Sequence, residues 1–456
     1  MARPYAWSPW HTADADHARV AVVRGDRSQT FGELVDLADR YGPAISDLGV
    51  PDGAVVSTSL PVGPEFFALA LATLRYGFGF FPVEPWHISN DGGRGLLGQV
   101  DTRLHVADGT DGDIGIAVPQ VGTSELNGRR GDDPPPRSGG YLVLATSGTT
   151  GAPTAVRRAR PWYPYRGVAV LDRYAAGMRH GPHVMTNLTA HLGTLGPALY
   201  ALQAGSAVVA QDSWSVNGFA GLVDRYAADS TFLSPDRLVE LVDRRVAPAR
   251  SLKVVLHGGA SCPPDIKRSA IDLFGPVLHE FYGTSAGIVS EISTSDWLRR
   301  PGSVGRPLPG VKVQITAGDQ QARAGEPGEV QVWPRRVDRL DRTPGLVRTG
   351  DLGYLSEDGY LFILGRLDDR YRELNARVEA AVRELPTVTD VVATAHRHRT
   401  DTLVVRIECT ASGTSALRQE VQAVVEALGS HHVELEIRPS GTFVRTASGK
   451  LRRTDG

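Results

Sequence analysis

The sequence predicts an α/β protein with a large N-terminal domain and a small C-terminal domain. In the first part of the chain, short apolar runs alternate with segments of helical periodicity, a pattern typical of a largely parallel sheet. From about residue 302 to residue 366, short β segments separated by turns follow one another instead. The last part of the chain returns to mixed helix and strand patterns, which predict a small α+β unit.

The length of the chain supports this division, because 456 residues exceed what one hydrophobic core usually holds together. We predict an N-terminal domain over residues 1–366, built from two α/β subdomains and a β-rich subdomain at about 302–366. Residues 367–456 are predicted to form a small α+β domain.

Local signals fix some elements of the first α/β stretch. A helix start is predicted at Thr30, which has the spacing of a capping box with Glu33. Residues 122–140 are rich in glycine and proline, and we expect a surface loop there rather than a packed element. The apolar run Tyr141–Ala145 follows directly and predicts a buried strand.

Composition excludes several classes of protein. A formal net charge of −2 gives no basic face for nucleic acid, so no nucleic-acid partner is expected. The most apolar run, Phe66–Phe81, contains Arg75 and is short for a membrane span, and the N-terminus lacks an export signal. Cys262 and Cys409 lie too far apart in sequence to predict a disulfide scaffold or a thiolate metal site. We therefore expect a cytoplasmic protein with no membrane partner.

The predicted strand at Tyr141–Ala145 opens into a loop of hydroxyl and glycine residues: Thr146, Ser147, Gly148, Thr149, Thr150 and Gly151. A loop of this kind offers backbone N–H groups to an anion, and phosphate is its usual ligand. It is not a Walker loop, because Ala152 and Thr154 stand where a lysine could fall. Taken alone, the pattern fits a surface turn as well.

A second motif contains Ser285. The run Gly283–Gly287 matches the Gly-x-Ser-x-Gly nucleophile elbow of hydrolases. A hydrolase would need an acid and a histidine downstream, and Asp351 and His396 are candidates, although nothing in the sequence connects them. This interpretation leaves the loop at 146–151 without a role.

Two further features point to nucleotide chemistry. Asp351 follows Thr349 and Gly350, and an aspartate in a glycine turn can accept hydrogen bonds from the two hydroxyls of a ribose, although most such triplets are simple β-turns. Lys450 follows a glycine near the C-terminus, where it could bring positive charge to a developing anion. Lysine occurs at only three other positions, 253, 267 and 312, which disfavours a stray lysine in a solvated tail.

In identity and order, these motifs resemble those of the adenylate-forming superfamily, which includes acyl-CoA synthetases, nonribosomal-peptide adenylation domains and luciferases. The resemblance covers nearly the whole chain. It implies an ATP-dependent, AMP-forming ligase that uses Mg²⁺ and whose residues 367–456 form a mobile lid. The implied partners are a small-molecule acid and an acceptor, which would be an amine, coenzyme A or a carrier-protein thiol.

The resemblance also implies roles for matching residues. Tyr282 would stack on adenine, Asp351 would hold the ribose with the help of Arg366, and Lys450 would be catalytic. His191 would close the acid pocket and serve catalysis, although a purely structural histidine fits equally well, and Asp368 would be the hinge of the lid. The implied nucleotide site also includes the loop Thr146–Gly151 together with Gly258, Gly259, Ala260, Gly283, Thr284 and Ser285, and the acid pocket would be formed by His191, Gly258 and Tyr282.

The chain departs from the family pattern at three places. The phosphate loop lacks its usual lysines, and we hypothesise that Arg157 or Arg158 supplies the charge. Ala286 replaces the glutamate that normally helps to hold magnesium, so the metal ligand is unassigned, and Glu291 is near it in sequence only. After Asp369 the family continues into a β-hairpin used in thioester formation, whereas this chain passes directly to a predicted helix.

The sequence therefore predicts a ligase that adenylates an aryl or other small carboxylate of secondary metabolism and passes it to a thiol or an amine. Three alternatives remain open: a diazotase that activates nitrite for reaction with an aromatic amine, a non-catalytic nucleotide-binding homologue, and the Ser285 hydrolase. Trp162, Tyr163 and Tyr165 are candidates for lining an aromatic pocket, although aromatic residues in such a Pro-rich segment more often serve packing.

Overall fold

A computed structural model describes most of the chain. The described residues are 9–84, 91–108, 118–128, 139–145, 154–158, 180–186, 191–246, 251–284, 287–317, 320–334, 345–366, 372–395, 402–410, 414–428 and 432–443.

The first of three sheets is six-stranded, with the order β6-β5-β3-β4-β7-β8. Its strands are β3 Val55–Thr58, β4 Gly79–Pro82, β5 Thr102–Val106, β6 Gln120–Val121, β7 Tyr141–Ala145 and β8 Ala155–Arg158. Only β8 runs antiparallel to its neighbour. The helices of this part of the chain are α1 Pro9–Ala15, α2 Phe31–Asp47, α3 Pro64–Tyr76, α4 Asp91–Gly98 and α5 Thr123–Gly128.

The second sheet has fourteen strands, in the order β17-β16-β18-β19-β20-β15-β14-β13-β12-β11-β9-β10-β1-β2. Its α/β half contains β1 Val20–Arg24, β2 Arg27–Thr30, β9 His183–Met185, β10 Val208–Ala210, β11 Ser230–Leu233, β12 Val254–Gly258 and β13 Leu278–Thr284. The helices of this half are α6 Leu192–Gln203, α7 Val216–Tyr226, α8 Pro235–Asp243, α9 Pro264–Phe274 and α10 Thr294–Arg299. From β9 to β13 the neighbouring strands run parallel, so their carboxyl ends meet at one edge.

The antiparallel half of the same sheet contains β14 Gly287–Ser293, β15 Ser303–Pro307, β16 Lys312–Ala317, β17 Gln320–Gln321, β18 Gly328–Trp333, β19 Val347–Leu355 and β20 Leu361–Arg366. These strands are the predicted β-rich part. They do not form a separate sheet, because β15 pairs with β14 on one side and with β20 on the other.

The third sheet has the order β21-β22-β23, with β21 Val388–Ala395, β22 Thr402–Cys409 and β23 His432–Pro439. Helices α11 Arg372–Arg383 and α12 Thr414–Ala427 accompany it. Val378, Val405 and Val421 belong to a hydrophobic core that is formed only by residues of this C-terminal part. The predicted α/β fold class is confirmed, whereas the boundary at residue 366/367 stays a prediction.

The capping box that was predicted at the start of α2 is present. The Thr30 hydroxyl accepts a hydrogen bond from the Glu33 amide at 3.2 Å, and the Glu33 carboxylate accepts one from the Thr30 amide at 2.9 Å. Two of the free amides at the helix start are thereby satisfied.

The expected surface loop at 122–140 was wrong for its first part. Residues Thr123–Gly128 form α5, and Leu126 is fully buried. The helix forms because the Asp108 carboxylate accepts hydrogen bonds from the Thr123 amide at 2.7 Å and from the Thr123 hydroxyl at 2.6 Å. This cap comes from a residue distant in sequence.

The antiparallel half of the large sheet is strongly curved. Strands β13 and β19 lie four positions apart in the sheet order, which would separate them by about 19 Å in a flat sheet, yet Tyr282 on β13 is hydrogen-bonded to Asp351 on β19. Register shifts interrupt the pairing of β13, β15, β18 and β19, and such bulges bend strands. The space inside the curve is filled by Val289, Ile315, Val330, Val332 and Leu361.

No helix in the described ranges is both long enough and apolar enough to cross a lipid bilayer.

Two helix glycines predict opposite effects of the same substitution. An added Cβ at Gly42 in α2 would lie 2.1 Å from the buried Tyr76 ring, whereas one at Gly221 in α7 would meet nothing within 4 Å. We expect Gly42→Ala to lower the free energy of unfolding by about 1–3 kcal/mol through overpacking, and Gly221→Ala to raise it by about 0.5–1 kcal/mol through helix propensity. Urea unfolding followed by circular dichroism measures both values. A change of the same sign at the two sites would contradict this account of the packing.

Candidate active site

Three residues that were predicted from separate motifs meet at one carboxylate. The Tyr282 phenol donates a hydrogen bond to Asp351 Oδ2 at 2.6 Å, and Arg366 Nη1 donates one to Asp351 Oδ1 at 2.9 Å. The Asp351 side chain is 14% exposed and that of Arg366 is 46% exposed, so the cluster opens to solvent on one side. Because a carboxylate offers about four lone-pair sites, Asp351 can still accept two further hydrogen bonds.

The position of Asp351 is set by the strands around it. Asp351 on β19 is paired with Arg366 on β20. The Thr349 hydroxyl accepts a hydrogen bond from the Asp351 amide at 3.0 Å and donates one to the Val330 carbonyl at 2.8 Å. Arg366 Nη1 also donates to the Thr349 carbonyl at 2.8 Å. Thr349 was not among the predicted site residues, although a hydroxyl two positions before an aspartate is a known turn signal.

Gly350 occupies a position of the site where the backbone conformation and the lack of space both favour glycine. Its φ of +68° lies in the left-handed region, and an added Cβ would lie 2.8 Å from Arg366 Nη2. The motif was expected in a turn, but residues 347–355 form β19, and the register shift between Leu352 and Gly353 supplies the local bend.

The Tyr282 phenol stays protonated in this setting. Burial raises its pKa above the ordinary range because the phenolate would lose its hydration, and the neighbouring Asp351 charge acts in the same direction. Tyr282 is therefore a fixed hydrogen-bond donor to the carboxylate at neutral pH.

The segment Gly258–Ala260 lies beside Tyr282 at the carboxyl edge of the parallel strands. Gly258 on β12 is paired with Phe281 on β13. Its φ is +158°, and an added Cβ would lie 2.4 Å from the Phe281 carbonyl oxygen, so any side chain would push the two strands apart. Gly259 has a φ of +82° and open space where a Cβ would point. A bare backbone therefore faces the space next to Tyr282.

His191 lies at the start of α6, near the same edge. Its carbonyl accepts a hydrogen bond from the Leu195 amide at 3.0 Å. The next turn packs closely on β11, because a Cβ on Gly193 would lie 2.6 Å from the Phe232 ring. Since Leu233 on β11 pairs with His257 on β12, His191 begins a helix that starts close to Gly258.

Several predicted residues lie outside the described part of the chain. These are the phosphate loop Thr146–Gly151, Ser285 with the adjacent Ala286, the hinge residue Asp368, the catalytic candidate Lys450, and the aromatic residues Trp162, Tyr163 and Tyr165. Their roles stay predictions.

The hypothesis that Arg157 or Arg158 supplies charge to the phosphate loop stays a prediction because the loop lies outside the described residues, although the described contacts disfavour it. Strand β8 pairs Arg157 with Val143, two residues before the end of β7, and the Arg157 guanidinium lies 5.6 Å from the centre of the Tyr141 ring at the start of β7. The side chain therefore points away from the loop end of the strand. Arg158 is buried and pairs with Leu142, one residue farther from the loop.

The metal ligand is not identified. Among the described residues, no group of three or more histidine, cysteine, aspartate or glutamate side chains could hold a metal ion. Glu291 on β14 pairs with Phe281, and its Oε1 lies 4.0 Å from His279 Nδ1. Cys262 is a poor candidate for a nucleophile, because burial and the nearby Glu280 raise the pKa of its thiol to about 12.

The structure does not support the candidate acid of the hydrolase alternative. Asp351, the candidate that would orient a histidine, is bonded instead to Tyr282 and Arg366. Ser285 and His396 lie outside the described residues.

A nucleotide-binding interpretation accounts for the same cluster, and a comparison with protein families decides between the two. Residues 10–335 match the model of a family described as AMP-binding enzyme. This chain belongs to the AMP-binding enzyme family. The match confirms the predicted adenylate-forming superfamily and the prediction of an ATP-dependent, AMP-forming ligase.

Relatives of this family member cover its whole length. The indoleacetate–CoA ligase of Aromatoleum aromaticum is 24% identical over 498 aligned positions, which span 98% of this chain and 96% of the ligase. The o-succinylbenzoate–CoA synthetase of Bacillus subtilis, solved with its acyl-adenylate intermediate, has a TM-score of 0.82 at 19% identity, and the match covers 98% of this chain and 96% of the synthetase. Another structure of that synthetase holds ATP and a magnesium ion, in agreement with the two predicted cofactors.

One further solved structure shares the fold. The amide bond synthetase McbA of Marinactinospora thermotolerans has a TM-score of 0.76 at 22% identity, and the match covers 98% of each chain. At this identity the likeness establishes the shared fold.

For this AMP-binding enzyme, the cluster predicts a selective loss of nucleotide binding. Asp351→Ala removes two charged acceptor sites, so we expect the affinity for ATP and AMP to fall by about tenfold to a hundredfold. Asp358→Ala is the matched control, since Asp358 lies in the turn between β19 and β20 and pairs with the distant Arg300. Isothermal titration calorimetry measures both affinities. An unchanged affinity in the Asp351 variant would remove this carboxylate from the nucleotide site.

Proposed function

We propose that this enzyme adenylates a small carboxylic acid with ATP, releases pyrophosphate and transfers the acyl group to an amine. The observation that carries the nucleotide part is the cluster of Tyr282, Asp351 and Arg366. The proposed amine acceptor is supported by the short connection, residues 367–371, between β20 and α11.

The cluster suits the adenosine end of ATP. Asp351 has acceptor sites left for the two ribose hydroxyls, and Arg366 orients the carboxylate through its hydrogen bond. The ring of Tyr282, whose hydroxyl is fixed to Asp351, offers a face for adenine. The bare backbone at Gly258 and Gly259 lets the nucleotide approach the sheet edge closely.

The remaining roles rest on family membership. The loop Thr146–Gly151 would hold the β- and γ-phosphates, and Lys450 would neutralise charge at the α-phosphorus. Residues 367–456 would form a lid that turns at Asp368. ATP would enter with Mg²⁺, but no ligand for the ion is assigned.

The acid is best accommodated near Phe232. Its ring lies against Gly193 at the carboxyl end of β11, and it is largely buried. His191 lies at the start of α6, two residues before Gly193. An aryl or other small carboxylate fits an apolar, aromatic wall of this kind.

The lid sequence favours an amine over a thiol. Strand β20 ends at Arg366 and helix α11 begins at Arg372, so residues 367–371 alone connect them. The thioester-forming hairpin of the family is expected at these positions, and two paired strands with a two-residue turn need about six residues or more.

The proposed reaction has two balanced steps. A carboxylate oxygen attacks the α-phosphorus of ATP, and the bond to the bridging oxygen breaks as pyrophosphate leaves. The amine nitrogen then attacks the carbonyl carbon of the acyl-adenylate, AMP leaves and a proton is released. Electrostatic stabilisation of the phosphoryl charge would be the main contribution to the first step.

The function predicts release of pyrophosphate only when ATP and an acid are both present. A screen over aryl acids, fatty acids, amino acids and nitrite should identify a carboxylic acid, and mass spectrometry should detect an amide when an amine is added. Coenzyme A in place of the amine should yield little thioester.

Other outcomes of this screen would replace the proposal. A thioester formed as fast as the amide would contradict the amine acceptor, and release with nitrite alone would favour a diazotase. No release with any acid would favour a non-catalytic nucleotide-binding protein, whereas ester cleavage without ATP would favour a hydrolase.

The catalytic lysine predicts a loss of turnover without a loss of binding. Lys450→Ala should lower the rate of pyrophosphate release by about 10²–10³-fold, because its charge would act mainly in the transition state. The dissociation constant of ATP should change by less than about twofold. Lys253→Ala is the control, since this lysine is 72% exposed and lies at the start of β12. Normal turnover in the Lys450 variant would disprove the assigned role.

A further inference from the structure

A buried ion pair joins helix α9 to β13, the strand that carries Tyr282. Lys267 Nζ on α9 is 2.5 Å from Glu280 Oε2 on β13, and the two side chains are 1% and 8% exposed. Lys267 Nζ also lies 5.0 Å from the centre of the Trp297 ring. In a chain with four lysines, this one is removed from water.

Stability alone does not account for this pair. Two charges lose their hydration when buried, and apolar side chains of similar volume are often as stable or more stable in such a place. Burial lowers the pKa of Lys267 and raises the pKa of Glu280, while the charge of each partner acts in the opposite direction. An ion pair differs from an apolar contact in that its hydrogen bond fixes a distance and a direction.

The pair connects the elements next to Gly258–Ala260 and Tyr282, the two segments of the proposed nucleotide site. Helix α9, which carries Lys267, begins at Pro264, shortly after the backbone segment Gly258–Ala260. Glu280 lies two residues before Tyr282 on the same strand. Since Gly258 already touches the Phe281 backbone, a small shift of α9 against β13 would move the glycine segment against the tyrosine.

His257 shows that the pair reaches the base of the glycine segment. This fully buried side chain directly precedes Gly258, and neither ring nitrogen has a hydrogen-bond partner among the described residues. Burial and the nearby Lys267 charge hold the pKa of His257 well below its ordinary value. The charge of Lys267 therefore acts on the residue that directly precedes Gly258.

We propose that Lys267 and Glu280 are positioning residues that hold the segment Gly258–Ala260 and Tyr282 at the spacing required by adenosine. The inference rests on the proposed nucleotide site and extends it to two residues that do not touch the ligand. Neither residue matches a motif of the sequence analysis.

The test replaces both charges at once. The double variant Lys267→Met/Glu280→Leu keeps the volume and removes the directional bond, so the thermal unfolding midpoint should be unchanged or higher. The dissociation constant of ATP should rise about tenfold. With the acid found in the pyrophosphate screen, KM for ATP should rise by a similar factor while kcat changes by less than about twofold, as expected for lost binding in both ground and transition states.

A matched control shows whether the effect depends on where the lysine lies or only on the loss of a lysine. Lys312→Met makes the same substitution at a lysine that lies 4.8 Å from the centre of the Trp333 ring, but on the exposed face of β16. Its ATP affinity should equal that of the wild type. If the double variant does not fold, Glu280→Gln, which keeps the shape and an acceptor, should raise the dissociation constant in the same direction.

A second measurement does not depend on ATP. Hydrogen–deuterium exchange of the free proteins should show faster exchange in peptides that cover residues 256–262 and 278–284 of the double variant, with little change in the C-terminal sheet. Unchanged exchange together with unchanged ATP affinity would overturn the positioning role and leave the proposed function intact. A wild-type protein that binds no ATP would instead overturn the proposed function.

Discussion

Asp351 accepts one hydrogen bond from the Arg366 guanidinium on the neighbouring strand and another from the Tyr282 phenol, and the bond to Tyr282 holds together strands that a flat sheet would keep apart. The antiparallel half of the sheet has to curve for this contact to form, and its bulges and its small apolar core allow the curve. The parallel half delivers Gly258 and Tyr282 to the same edge because neighbouring parallel strands end together. The site is thus a product of sheet geometry.

The buried pair of Lys267 and Glu280 and the exposed cluster around Asp351 would have complementary roles. The cluster presents a carboxylate, a protonated phenol and a partly exposed guanidinium, which are the groups proposed to meet the nucleotide. Below it, Lys267 and Glu280 fix how the strand that carries Tyr282 lies against α9. In the proposed function, the cluster would recognise the nucleotide, and the buried pair would set the spacing of the segments around it. The proposed amine acceptor rests on the short connection between β20 and α11.

Local features were predictable from the sequence because their causes are local. The capping box at Thr30 and the strand Tyr141–Ala145 depend on residues a few positions apart. Tyr282, Asp351 and Arg366 were predicted through their motifs, and the structure brings all three together. Other features depend on pairing between distant segments, which the sequence does not display. The helix at Thr123–Gly128 depends on the cap from Asp108, and the curvature of the sheet depends on bulges in the pairing of neighbouring strands. The pairing of Lys267 with Glu280 was not predicted, because no sequence motif connects the two residues.

The most direct test of the central claim is a crystal structure of the protein with a non-hydrolysable acyl-adenylate analogue, such as an acyl sulfamoyl adenosine. The account predicts that both ribose hydroxyls lie within hydrogen-bonding distance of Asp351, with adenine against the Tyr282 ring and the bond between Tyr282 and Asp351 retained. An analogue bound elsewhere on the protein, or an Asp351 carboxylate that makes no contact with the ribose, would contradict it.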